Sequence, residues 1–283
     1  MIFKAYAKIN IGLRVLGKRP DGFHNIETFF QQISLHDVLH INTSDNGKVR
    51  ISCSDSNCPA DETNLAFKAA ALLKENADQP SLGCNIHIAK NIPLGGGLGG
   101  GSSDAATALK ALNALWNIGL TNKQLHELAL RIGSDVPFFL TGGFALGQER
   151  GERVQKIKVN IPYYGLLYCP GIPISTPWVY KNLNLNLTNS NKIGKFVDFV
   201  PELPDLQQWK NILPNDLERV VFEEHPSFAG IIREFFDTGA FYARMSGSGS
   251  SLFGLYDTLS KAEKAKKSLA KKADTIIFKP IYE

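Results

Sequence analysis

The densest chemical information in the chain is the run Pro93-Leu94-Gly95-Gly96-Gly97-Leu98-Gly99-Gly100-Gly101-Ser102-Ser103-Asp104, with six glycines in seven positions. Ordering that much glycine costs backbone entropy and returns no side-chain packing. What it offers is bare N–H groups that can come close to an oxyanion. The helix that the composition predicts from about Ser102 adds unpaired amides and a partial positive charge. The chemistry open to such a loop is to cradle phosphate. A flexible linker or a plain helix cap is the competing reading, and the position directly between a strand and an alanine-rich helix weighs against it.

Two familiar phosphate loops can be tested on the residues. No Gly-Lys-Ser/Thr occurs, so the loop is not of the Walker type. Gly95, Gly97 and Gly100 satisfy Gly-x-Gly-x-x-Gly. A dinucleotide fold would then need a strand ending in a carboxylate some 20 residues on. Residues 115–120 hold none, and a second helix follows. The nicotinamide reading fails there.

Other residues of chemical type stand apart from this loop. Lys8 and Asn10 share the polar face of a strand; a strand lysine by itself is also an ordinary solvated residue. Asp135 follows Gly133-Ser134 and precedes Val136-Pro137, which fits either a reactive carboxylate or a turn. Phe23-His24 follows an Asp21-Gly22 turn, and an aromatic beside a histidine can stack on a base and read its edge; both can equally tether a loop. Thr176, Trp178 and Tyr180 follow a proline-rich loop, and Gly247-Ser248-Gly249 forms another glycine cluster.

The elements that must position these groups are legible from period and caps. Ile9, Ile11, Leu13 and Val15 alternate with Lys8, Asn10, Gly12 and Arg14, a half-buried strand. Residues 29–33 and 38–41 read as two short strands broken at 34–37. A helix over 65–74 follows the cap-type residues Asp61, Thr63 and Asn64, and residues 85–92 alternate as a strand up to Pro93. Ala105, Ala108, Leu109, Leu112, Leu115 and Trp116 form a helical stripe. Thr121 with Gln124 is a capping box for a helix ending near Gly133. In the second half, residues 163–169 and 251–256 read as strands, 228–236 and 260–272 as helices, and 275–282 as one last strand. The asparagine-rich stretch 182–191 reads as polar surface. Strands and helices alternate in both halves, which implies α/β or α+β in two lobes.

Composition bounds the rest. The chain has 283 residues, 43% hydrophobic and 20% charged, enough for a sizeable core and a globular balance. The net charge of +4 permits an anionic ligand without suggesting nucleic acid. The lysines of 260–272 read as the solvated face of a helix. Cys53, Cys58, Cys84 and Cys169 complete no zinc spacing and read as free thiols of a reducing compartment. No run of about 20 apolar residues occurs, and no secretory pattern opens the chain. A cytoplasmic protein without a membrane partner is expected; oligomeric state leaves no trace in the sequence.

The 93–104 run resembles the phosphate-binding motif of the GHMP kinases. Ala5-Tyr6-Ala7-Lys8-Ile9-Asn10 is similar to the family's first motif, and Arg244-Met245-Ser246-Gly247-Ser248-Gly249-Ser250-Ser251 to its third. The resemblance spans most of the chain. It implies an α+β, two-lobed GHMP kinase fold, with a nucleotide-binding α/β lobe over 1–155 and a ferredoxin-like lobe over 156–283. Within the family, Arg19-Pro20-Asp21-Gly22-Phe23-His24 and Gly133-Ser134-Asp135-Val136-Pro137 resemble the branch whose small-molecule acceptor carries a cytidine diphosphate group. That implies transfer of the ATP γ-phosphoryl to the 2-hydroxyl of a methylerythritol unit, with Mg²⁺ accompanying ATP. By the same resemblance Asp135 is the base or orienter of the hydroxyl, and Lys8 sits beside it and favours developing negative charge. Phe23, His24 and Tyr180 hold cytosine. Asn10, Thr176 and Phe30 are further substrate positions. Asn64 and Lys90 lie near adenine, and residues 93–101 with Ser102 and Ser103 hold the phosphates. No metal-ligating carboxylate is identifiable.

Overall fold

The computed structural model describes residues 1–184, 195–203 and 205–282. In chain order these form β1 (Ile2–Lys18), β2 (His24–Ser44), β3 (Val49–Cys53), α1 (Leu65–Ala77), β4 (Gly83–Ala89), α2 (Gly100–Leu115), α3 (Asn122–Ile132), α4 (Val136–Thr141), β5 (Phe144–Glu149) and β6 (Arg153–Lys156). There follow β7 (Tyr164–Cys169), α5 (Thr176–Asn182), a 3-10 segment Phe196–Glu202, α6 (Trp209–Ile212), α7 (Glu218–Glu224), α8 (Ser227–Asp237), β8 (Tyr242–Met245), β9 (Leu252–Tyr256), α9 (Leu259–Leu269), β10 (Asp274–Phe278) and β11 (Pro280–Ile281). Most of the asparagine-rich stretch, from 185 on, lies outside the described residues.

The chain divides into two compact units. The first comprises Met1–Ala7, Leu35–Leu94 and Gly99–Thr141, the second Lys8–Ser34, Gly95–Leu98 and Gly142–Glu283. In the first unit, β3 and β4 are parallel, joined through α1 as a βαβ crossover, and β4 pairs antiparallel with β2 from Val38↔Ala89 to Ser44↔Gly83. α1 packs on α2. Ala66, Ala69 and Ala70 of α1 and Ala105, Ala106, Ala108 and Ala111 of α2 are buried. Small side chains let the two backbones approach, which explains the alanine-rich sequence of both helices. The predicted capping box is present at Thr121 and Gln124.

In the second unit, β2 pairs antiparallel with β5 from Ile26↔Glu149 to Gln31↔Phe144, and β5 with β6. A separate four-stranded sheet has the order β10-β7-β9-β8, with every neighbouring pair antiparallel. With α8 before β8 and α9 before β10, this is β7-α8-β8-β9-α9-β10, the ferredoxin-like arrangement expected. Leu166, Phe228, Phe235, Leu252, Tyr256 and Leu269 form part of its buried core.

Three local expectations are corrected. β2 is one strand of 21 residues, without a break at 34–37. Ser34 stays in register through Lys279: Ser34 N donates to Lys279 O at 2.9 Å, and Ser34 Oγ accepts from Lys279 N at 3.0 Å. Asp37 is fully buried with an ionic partner. Polar residues with internal partners need not mark a turn. β4 stops at Ala89 rather than Ile92, because Asp37 Oδ1 accepts from Asn91 N (2.6 Å) and Ile92 N (2.9 Å), which diverts the chain from the ladder. The last strand is two: β10 pairs with β7, while β11 pairs with β2.

Candidate active site

The glycine loop alternates its handedness. Gly95, Gly97 and Gly99 have φ of +67°, +74° and +71°, and α2 starts at Gly100, two residues before the expected Ser102. Alternation of this kind turns successive N–H groups to one side, and the N-cap Gly99 lends no side chain to the first helical amides. The loop's conformation therefore suits phosphate, as its composition suggests. Gly97 is required as glycine: a Cβ there would lie 2.2 Å from the carbonyl oxygen of Ser246. In the second unit, Lys8 N donates to Leu98 O at 3.0 Å and Ser251 N to Gly96 O at 3.2 Å, so two other segments hold this stretch.

Lys8 is only 4% exposed. Its ammonium donates to Asn10 Oδ1 at 2.6 Å and to Gly97 O at 3.0 Å, and lies 5.6 Å from the Phe30 ring centroid. Asn10 Nδ2 donates in turn to Thr28 Oγ1 at 2.9 Å, and that hydroxyl donates to Gly12 O at 2.6 Å. Lys8 and Asn10 are thus a fixed pair at the glycine loop, not members of a solvated strand face. Phe30 is buried.

The aromatic candidates gather in the same unit. The rings of His24 and Tyr180 are stacked, 5.1 Å between centroids and 25° apart. Phe23 is exposed, and the Arg150 guanidinium sits 5.0 Å from its ring centroid, itself held by Glu152 Oε1 at 2.9 Å. Burial, with Lys18 nearby, lowers the His24 imidazole below the ordinary histidine range. A neutral imidazole can donate and accept at once, which suits reading the edge of a base. Thr176 is exposed, its hydroxyl 2.7 Å from that of Ser248.

In the first unit, Lys90 is buried, and its ammonium bridges two buried carboxylates, hydrogen-bonding Asp37 and reaching Asp104 at 3.1 Å. Burial pushes the Asp104 carboxyl up to about 7 against the pull of Lys90, and its Oδ1 finds no hydrogen-bond partner among the described residues. A Cβ on Gly100 would stand 3.2 Å from the Lys90 ammonium, so this cluster abuts the start of α2. Asn64 caps α1, its Oδ1 accepting from Ala66 N at 2.9 Å and its Nδ2 donating to Pro59 O at 2.7 Å. Ser103 is buried and its hydroxyl donates to Tyr6 O at 2.6 Å, whereas Ser102 is half-buried. Asp135 is half-buried in the turn between α3 and α4.

Sequence reasoning missed Asp37, Asp104, Asn215 and Arg150. Asp104 belonged to the glycine-loop run, where an acidic residue on an otherwise apolar helix face was the available signal. The others had none within reach of a local pattern. Among the described residues no group of three or more His, Cys, Asp or Glu could hold a metal ion.

Residues 64–143 match the family model described as GHMP kinases N terminal domain, and residues 199–275 that described as GHMP kinases C terminal. The chain is 39% identical over 280 residues to the 4-diphosphocytidyl-2-C-methyl-D-erythritol kinase of Prosthecochloris aestuarii (strain DSM 271 / SK 413), covering 94% of this chain and 93% of that one. It is 40% identical to the protein of the same name from Chlorobium phaeobacteroides (strain BS1), covering 93% and 91%. A crystal structure of 4-(cytidine 5'-diphospho)-2C-methyl-D-erythritol kinase superposes with a TM-score of 0.85 at 33% identity, covering 99% of each chain.

Proposed function

Because the chain belongs to the GHMP kinases, in the branch of its 4-diphosphocytidyl-2-C-methyl-D-erythritol relatives, we infer that it transfers the γ-phosphoryl of ATP to the 2-hydroxyl of that acceptor. The products are the 2-phosphate and ADP, in the non-mevalonate route to isoprenoid precursors. The observation that carries this reading is 39% identity over 94% of the chain. The lobe division near 155/156 is part of the same proposal; the compact units cut the chain differently, the second taking in Lys8–Ser34 and Gly95–Leu98.

The residue roles are our proposal. Phosphoryl transfer asks for alignment and charge neutralisation more than for covalent help. The 2-hydroxyl oxygen forms its bond to Pγ as the bond from Pγ to the β–γ bridging oxygen breaks; ADP leaves with that electron pair, and the hydroxyl's proton passes to the Asp135 carboxylate acting as base or, where Asp135 only orients, to an oxygen of the transferred phosphoryl. Asp135 accepts the hydroxyl's hydrogen bond and aims it. Lys8, held by Asn10 and Gly97, supplies positive charge. The amides of 95–101 and the start of α2 take the β- and γ-phosphates, with Pro93 and Leu94 leading into the loop and Asn64 and Lys90 on the adenine side. Phe23, His24 and Tyr180 hold cytosine, with Thr176 and Phe30 at the margins of that pocket.

Mg²⁺ would neutralise phosphate oxygens during transfer. It would accompany ATP, and of the two serines Ser102 would suit it better than Ser103, whose hydroxyl is committed to Tyr6. No helix among the described residues is long and apolar enough to cross a membrane, and the four cysteines are free thiols. A cytoplasmic location agrees with both.

The test is ADP release from the purified protein with MgATP, with and without 4-diphosphocytidyl-2-C-methyl-D-erythritol, and the product mass. Acceptor-dependent release with one added phosphate is expected. Release with homoserine or mevalonate instead would refute the acceptor while leaving the family intact.

A further inference from the structure

The loop after β8 has no part in the roles above, yet it lies against Lys8, and an asparagine from a distant segment holds it. Asn215 is buried. Its Nδ2 donates to Met245 O at 2.8 Å and to Gly247 O at 2.8 Å, one hydrogen for each carbonyl. Its Oδ1 accepts from Leu217 N at 3.0 Å, so both ends of the amide are committed. Met245 N donates to Glu218 Oε1 at 2.7 Å, which fixes the other backbone group of the same residue.

The segment carrying Asn215 is itself fastened to β1. Leu13 N donates to Pro214 O at 2.7 Å, Asp216 N to Leu13 O at 2.8 Å, and Val15 N to Asp216 Oδ2 at 2.9 Å. On the far side of the loop stands the Lys8–Asn10 pair. Gly247 has φ +58°, and a Cβ on it would be 3.0 Å from Asn10 Oδ1 and 3.6 Å from the Lys8 ammonium. Ser246 Oγ accepts from Asn10 N at 3.3 Å and donates to Gly97 O at 3.0 Å, the carbonyl that also accepts from Lys8. A displaced Gly247 would therefore displace Lys8 and Asn10.

We propose that Asn215 is a positioning residue of the phosphoryl transfer, clamping the Met245 and Gly247 carbonyls so that the loop backbone seats the Lys8–Asn10 pair. Asn215 does not itself touch substrate, and the proposal rests on the kinase reading and on the role given to Lys8. Removing its donors leaves two buried carbonyls unsatisfied, and the loop must shift to find water.

The experiment compares wild type, Asn215→Ala and Asn215→Ser by steady-state kinetics, thermal midpoint and hydrogen exchange. Wild-type turnover is measured first; its absence would defeat the kinase reading, and the exchange measurement would still judge the clamp. For Asn215→Ala, kcat should fall by about 100-fold, the scale of an ångström-sized misplacement. Both KM values should stay within about threefold. Asn215→Ser, which retains one donor, should fall between. Folded Asn215→Ala with kcat within about twofold of wild type, or with its loss confined to KM, overturns the proposal, since a merely structural role lowers the midpoint alone. Should neither variant fold, wild-type exchange decides. Slow exchange at amides 246–249 without ligands supports the clamp, and fast exchange that slows only with ligands refutes it.

Discussion

Two side chains make testable contributions at the residue scale. The Tyr180 ring is stacked on His24. A base held there gains stacking on the order of 1–3 kcal/mol. Tyr180→Ala should then raise KM for the cytidine-bearing acceptor about 10- to 100-fold with KM for ATP unchanged, while Tyr180→Phe keeps the ring and stays near wild type; steady-state titration of each substrate reads both. Asp104 concerns stability. Its folded pKa, about 7, lies above its ordinary value of 3.8, so the folded state holds the extra proton between those values. The contribution is full below about pH 4 and is lost as pH rises through about 7, with a slope of at most about 1.4 kcal/mol per pH unit. Denaturant titrations of Asp104→Asn across that range should show this component of the slope removed.

At the scale of elements, the glycine loop works through conformations that other residues resist. Gly97→Ala combines left-handed φ with a Cβ 2.2 Å from Ser246 O. A methyl group cannot remain there, so the loop must move. Loss of about 1–3 kcal/mol is expected from the backbone alone, and kcat/KM should drop at least 100-fold as the phosphate amides lose alignment. A near-native kcat/KM for this variant would show that the loop tolerates another shape. The same scale explains β2. The sequence reads as two strands broken at 34–37, but distant partners let the strand run on: Lys279 bonds Ser34 through its backbone, and the Lys90 side chain bonds Asp37. Asp37 then terminates β4 and begins the turn into the loop, a function no local pattern discloses.

For the whole molecule, the chain's two ends are both structural. The first residue pairs with Ile41, Met1 N donating to Ile41 O at 2.7 Å and Ile41 N to Met1 O at 2.9 Å. The last residues cover the edge of β2: Pro280 and Ile281 pair with Ile33 and Gln32, Gln31 Nε2 donates to Ile281 O at 2.7 Å, and the Tyr282 hydroxyl donates to Ile161 O at 2.8 Å. Deleting residues 279–283 exposes that edge and leaves Gln31 without this acceptor. Stability should fall by about 2–4 kcal/mol, read by denaturant unfolding; an unchanged midpoint would show that the tail is dispensable. By itself, the sequence determined whatever depends on near neighbours in the chain: the alternation of β1, the α1 and α3 caps, the alanine stripe, and a glycine loop whose composition suits an oxyanion. Its family motifs also pointed to Lys8 and Asp135, and to Phe23, His24 and Tyr180, which we propose hold cytosine. Only the tertiary structure decided which polar groups pair inside. Lys90 with Asp37 and Asp104, and Asn215 with Met245 and Gly247, lie 14 to 53 residues apart. The reason is energetic. A buried donor or charge has to find a partner or bear the full cost of desolvation, and that partner is chosen by whichever segment folding brings within reach, not by spacing along the chain.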